Sequence, residues 1–155
     1  MTARIKWTGR LHDDKPHEVK RAPISIAGMR KGQLMLVPSA RLVDDFVRTV
    51  KRGHSMDARQ LRVALAAASG AEVCCPITTG FHLRTVAEAV GEALARGVAI
   101  GRVTPVWRVL PPGAPTLRKL SYDPALLMRQ RRFEGLDGGD EARAARGGRR
   151  PVSPM

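Results

Sequence analysis

Aromatic side chains make up only 4% of this 155-residue chain, so any core it builds has to be aliphatic. Cysteine is equally scarce. The two thiols, Cys74 and Cys75, are adjacent, which is poor geometry for a disulfide and too few ligands for a structural zinc. Such usage suits a reducing compartment. Acidic residues are outnumbered, with 14 Asp and Glu against 27 Lys and Arg, leaving a net charge of +13 and a pI near 11.3. An imbalance of that size points to a polyanionic partner, most simply nucleic acid. No apolar run approaches the roughly 18 residues of a membrane helix, and the start, Met-Thr-Ala-Arg-Ile-Lys-Trp, has no apolar signal region. The expectation is a soluble, cytoplasmic, nucleoid-associated protein with no membrane partner. Also lacking are a Gly-rich nucleotide loop, His-Glu-x-x-His, paired catalytic carboxylates and a Ser/His/Asp arrangement, and His12, His17, His54 and His82 have no ligand spacing. No cofactor and no metal are expected.

What is present is helical periodicity. Ser39 is placed to cap a first helix whose apolar face is Leu42, Val43, Phe46, Val47 and Val50, with Lys51-Arg52-Gly53 closing it. A second helix opens at Ser55 or Asp57 and runs to about Ala68, with Leu61, Ala64, Leu65 and Ala68 inward and Gly70 at its end. A third carries Leu83, Val86, Val90 and Leu94 on one stripe, Thr85, Glu88, Glu92 and Arg96 on the opposite arc, and stops at Gly97. Thr78 and Thr79 lie just upstream as candidate caps. Val98 to Leu110 reads as a strand running into a Pro111-Pro112-Gly113 turn, followed by a second apolar run from Leu117 to Tyr122. Ala125–Met128 starts a last helix carrying Arg129, Arg131 and Arg132 outward. The fold class is mainly α with a small β wing, a winged helix-turn-helix, in which the third helix is presented to a groove. Residues 1–31, with an isolated Trp7 and a short alternating Ile24-Ser25-Ile26, form a basic N-terminal arm, partly ordered. Residues 32–134 form the winged domain, and 135–155 a disordered Gly/Arg-rich tail.

Ala89-Val90-Gly91, followed by Pro105-Val106-Trp107-Arg108-Val109, resembles the DNA-binding domain of the O6-alkylguanine-DNA alkyltransferases, where Arg-Ala-Val-Gly on a recognition helix leads to Pro-Cys-His-Arg-Val. The chain is similar also to small alkyltransferase-like proteins that combine Cys-Pro-Leu-Thr-Thr-Gly with Pro-Tyr-Trp-Arg-Val. The resemblance spans roughly Leu34 to Leu136. It implies a non-enzymatic relative, because the nucleophilic Cys falls at Val106 and the His that activates it at Trp107. The family's Tyr that rotates a nucleotide falls near Ala58, and the Arg that fills the vacated space at Glu88. Pro105, Val106, Trp107 and Arg108 are then the candidate pocket for a damaged or extruded base, with Trp107 as its stacking wall.

The same reading gives double-stranded DNA, alkylated duplex included, as the partner, and a repair protein as a further one. Sequence-independent affinity is assigned to Arg52, Arg59, Arg84, Arg102, Arg118 and Lys119, with Lys51 beside them, and to the hydroxyls of Thr78 and Thr79 at a helix start. Two alternatives stand beside it. One is an alkyl acceptor (a methyltransferase) that has moved its nucleophile to Cys74 or Cys75. The other is a basic interaction module for RNA, ribosome or a protein partner. For Arg84 the competing role is an ion pair with Glu88, for Arg108 one with Asp57 or Glu72, and for Trp107 and Trp7 simple packing.

Overall fold

In the computed structural model, residues 6–13 and 15–137 are described. Mainly helical, the chain runs α1 (Trp7–Leu11), β1 (Glu18–Arg21), β2 (Leu34–Val37), α2 (Ala40–Val47), α3 (Ala58–Ala68), β3 (Val73–Cys74), α4 (Pro76–Ala95) and α5 (Ala125–Phe133). Three 3-10 turns, Ile100–Arg102, Val106–Val109 and Pro115–Lys119, connect α4 to α5. None of the described helices is long and apolar enough to cross a membrane.

Helix starts follow the capping chemistry. The Ser39 hydroxyl accepts from Leu42 N–H at 3.0 Å, and Asp57 with Gln60 closes a reciprocal capping box on α3. Helix α4 starts earlier than the two threonines suggest. Pro76 occupies its first turn, where a fixed φ and a missing N–H cost nothing, so Thr78 and Thr79 lie inside the helix rather than before it. Gly97 follows it with φ +94°, the left-handed conformation that closes a helix without a Cβ penalty.

The small sheet is not where the apolar runs predict it. Val98–Leu110 contains no strand: it winds through Ile100–Arg102 and Val106–Val109, buries Val103, Val106, Trp107, Val109 and Leu110, and gives its backbone no partner strand. Leu117 likewise ends up buried in the 3-10 turn Pro115–Lys119 instead of a return strand. A short, continuous apolar run buried on all sides has no periodicity by which helix, turn and strand separate. The sheet forms upstream instead, in the order β1-β2-β3. Glu18 to Arg21 pairs antiparallel with Val37 to Leu34, and Met35-Leu36 runs parallel to Val73-Cys74. The division at residue 31 is therefore corrected, since β1 on one side of it pairs with β2 on the other. Ile26 makes only a bridge to Met29.

The main aliphatic core, beside a smaller cluster of Ala22, Met29 and Met35 at the sheet, lies around α4, drawing Val43 and Val47 from α2, Leu61 and Leu65 from α3, Leu83, Val86 and Val90 from α4 itself, and Leu127 from α5. Trp7 and Leu11 of α1 join it, so packing is the role Trp7 takes. The arc of α4 expected to face solvent is covered as well: Thr85 is 1% and Glu88 2% exposed, beneath α1 and the segment after the turn Pro115–Lys119. Leu136 is buried and Asp137 is bonded to Arg131, so the first residues assigned to the tail belong to the body. The remainder of that assignment, from 138 onward, lies outside the described residues.

Candidate nucleic-acid interface

The motif residues meet at a buried carboxylate. Glu134, just after α5, has a side chain 1% exposed and takes the Trp107 indole N–H at 2.9 Å, the Arg108 Nε at 2.9 Å and a second Arg108 nitrogen at 2.9 Å. Arg108 also donates to the Val50 carbonyl at 2.8 Å, so it links Glu134 to the residues just after α2. Burial works against the charge on Glu134, but the Arg108 guanidinium, the indole and the Gly53 N–H hold its carboxyl below the usual range. The ion pair expected for Arg108 thus exists, with Glu134 in place of Asp57 or Glu72. Arg131, expected to point outward, is 1% exposed; it donates to the Trp107 carbonyl at 2.6 Å and pairs with Asp137 at 2.8 Å. A fully buried arginine in a run of Arg129, Arg131 and Arg132 is separated from its exposed neighbours only by the helical angle.

These bonds correct the base pocket. Pro105, Val106 and Trp107 are buried, Trp107 to 3% exposure, and both its indole N–H and its carbonyl are consumed internally. The ring presents no free face to a nucleotide and takes the core role beneath the turn Val106–Val109.

An aromatic-walled cleft lies elsewhere, between α1, α4 and the residues after the turn Pro115–Lys119. It has a volume of about 440 Å³ and is lined by Trp7, Arg84, Glu88, Gly91, Ser121 and Tyr122. Tyr122 lies against Gly91, where a Cβ would fall 2.6 Å from its Cδ1, and donates its hydroxyl to the Ala87 carbonyl at 2.7 Å. Burial and the nearby Glu88 push the Tyr122 phenol up, so it remains a donor at neutral pH. On the floor, Glu88 Oε2 accepts the Ser121 N–H and hydroxyl, both at 2.9 Å, and pairs with Arg84 at 3.3 Å. The Arg84–Glu88 pair read from the i, i+4 spacing is therefore present, and Arg84 also lies 4.9 Å above the Trp7 ring. No sequence pattern signals this cleft, because Trp7, Arg84 and Tyr122 are far apart along the chain.

The other assigned phosphate contacts divide in two. Arg59, Arg102, Arg118 and Lys119 are exposed, as is Lys51. Arg52 is exposed but shares Glu134 at 3.8 Å and stacks 5.2 Å from the Phe133 ring. Thr79 is corrected to an internal role: it is 1% exposed and its hydroxyl bonds the Cys75 carbonyl at 2.6 Å, four residues back along the helix. Thr78 faces the Cys75 sulfur at 3.3 Å. Cys74 is 4% exposed and 3.1 Å from the Thr79 hydroxyl, and burial pushes its thiol up, against the lowered value an alkyl-accepting thiolate requires.

Among the described residues three carboxylate side chains turn inward, while Asp13, Glu18, Asp45, Asp57, Glu72 and Asp123 are exposed. Glu134, Glu88 and Asp44 are buried; Asp44 accepts the Thr104 hydroxyl at 2.5 Å. Glu92 and Asp137 are half-buried, and Glu72 and Asp57 accept backbone N–H groups. Most lysines and arginines stay outside, so the surface is more cationic than the composition alone requires. Among the described residues no cluster of His, Cys, Asp and Glu could hold a metal ion. Set against models of known protein families, curated proteins and solved structures, the chain gives no match.

Proposed function

We propose that this chain binds double-stranded DNA without catalysis, by phosphate contacts to its cationic surface, as an alkyltransferase-like protein. The observation that carries the reading is a net charge of +13 with Arg59, Arg102, Arg118 and Lys119 exposed, while Asp44, Glu88 and the Glu134 side chain are turned inward. Phosphate contacts of that kind give affinity without sequence preference. Helices α3 and α4, separated by a short segment, form the helix-turn-helix of this reading, and the β1–β2 hairpin stands in for the wing. Damaged-base recognition, on this reading, belongs to the cleft between Trp7 and Tyr122. The half-buried Tyr122 ring offers a wall and the half-buried Arg84 guanidinium a donor to a base edge, while Trp7 and Glu88 remain buried.

The test is equilibrium binding to plain and O6-alkylguanine duplexes across a salt series. Salt-dependent binding to both is expected, tighter for the alkylated duplex and with that preference lost in Tyr122→Ala. No salt-dependent binding to either duplex removes the proposal, and equal binding removes its lesion part.

A further inference from the structure

Helix α5 packs its leucines against the core but leaves Phe133 exposed. Leu127 and Arg131, four residues apart, point inward and are fully buried. Leu126, Arg129 and Phe133 recur at steps of three and four on another side. With Leu94 at the end of α4 and Ile100 in the following turn, they line an open groove of about 700 Å³. Phe133 is 71% exposed, the highest value among the exposed large hydrophobic side chains. Arg129 and Arg132 are exposed along its edge.

We infer that this groove docks an acidic amphipathic helix of a partner protein. The inference stands apart from the DNA-binding reading and uses a different surface. An aliphatic floor with a rim of one charge sign fits a helix that presents apolar anchors at i, i+3 or i+4 and i+7, flanked by carboxylates. Charge selects among the other occupants. A second copy of this chain is a poor match, because its net charge of +13 sets like charge against the arginine rim. Nucleic acid would meet the arginines, but Leu94, Ile100 and Leu126 give bases no stacking surface, and Arg52 already lies 5.2 Å from the Phe133 ring.

A displayed library of 16-residue helical peptides, selected on the full chain and counter-selected on Phe133→Ser, tests the inference. Phe133 is exposed, so the variant should unfold at the same temperature as the parent, which a thermal melt checks first. The expected result is enrichment of peptides with apolar residues at i, i+3 or i+4 and i+7 and a net negative charge. Enriched peptides, made synthetically, should bind at least tenfold more weakly to Phe133→Ser. They should lose binding to the double variant Arg129→Glu/Arg132→Glu, and lysine-flanked versions should gain it. No enrichment over the counter-selected variant overturns the inference, as does enrichment without negative charge. A parent chain that sediments as a dimer and a Phe133→Ser variant that sediments as a monomer also overturn it, assigning the groove to a second copy. Binding of a single-stranded oligonucleotide that Phe133→Ser weakens tenfold overturns it in favour of nucleic acid.

Discussion

Glu134 shows how much a single buried carboxylate can organise. It receives the Trp107 indole and two nitrogens of Arg108, so its removal leaves the guanidinium without its counter-charge and the indole N–H without an acceptor. Glu134→Ala should cost about 3–5 kcal/mol in a denaturant titration, the usual cost of breaking one side of a buried ion pair. The protonation of such groups gives stability two pH windows. His82 has its pKa lowered, first by burial and further by Lys15, against a raising contribution from the Pro38 backbone. The unfolded chain therefore binds this proton more readily, and stability falls as pH drops below the ordinary histidine value of about 6.5. For Glu134 and Glu92, whose carboxyls are also held low, the stabilisation is complete above about 4.3 and is lost as pH falls through their folded values. Melting temperatures across pH should decline in two steps, with His82→Gln removing the upper one and Glu134→Gln reducing the lower. Gly91 matters for space rather than charge, because a methyl group there collides with the Tyr122 ring. Gly91→Ala should destabilise by about 1–3 kcal/mol, and Tyr122→Ala in the same chain should recover part of that deficit.

Among the elements, α2 and α3 were legible because a capping residue and an apolar stripe agree in each. The register of α4 was legible too, but its surroundings were not: burial of Thr85 and Glu88 depends on α1, which sequence spacing alone leaves as part of a loose arm. What attaches α1 is a carboxylate from another element. Glu92 Oε2 takes the Trp7 N–H at 2.9 Å and Oε1 the Thr8 N–H at 2.8 Å, so α4 supplies the N-terminal cap that α1 lacks from its own chain neighbourhood. Burial opposes charge on Glu92, and these N–H groups with the Thr8 hydroxyl prevail in holding it ionised. Glu92→Ala should cost about 1 kcal/mol, in the range of a missing cap, and hydrogen exchange should quicken at residues 7–11 while α2 and α3 remain protected. The motif segment 98–110 failed as a strand for the converse reason. Its Val and Ile content records burial, and the partner that decides its path, Glu134, lies a further 26 residues beyond Arg108.

At the scale of the whole molecule, charge is what the sequence announced most plainly, at +13. Its distribution required the fold: buried carboxylates such as Asp44 and Glu88 cannot be told from exposed ones by composition, and their burial makes the periphery more cationic. Binding that rests on such a surface follows counterion release. Removing one side chain that neutralises a phosphate should lower the slope of log K against log salt by about 0.9 on B-form duplex. Arg118 and Lys119 lie exposed in the turn that precedes Ser121 and Tyr122, two residues that line the cleft. Arg118→Ala with Lys119→Ala should therefore weaken duplex binding equally for all sequences and reduce the slope by about two units. Arg129→Ala with Arg132→Ala removes the same formal charge from the α5 groove and should leave that slope within its error. If the two pairs lower the slope alike, net charge alone sets the affinity and no surface of the molecule is dedicated to DNA; if only the first pair does, the duplex lies across the cleft and the α5 face is free for a protein.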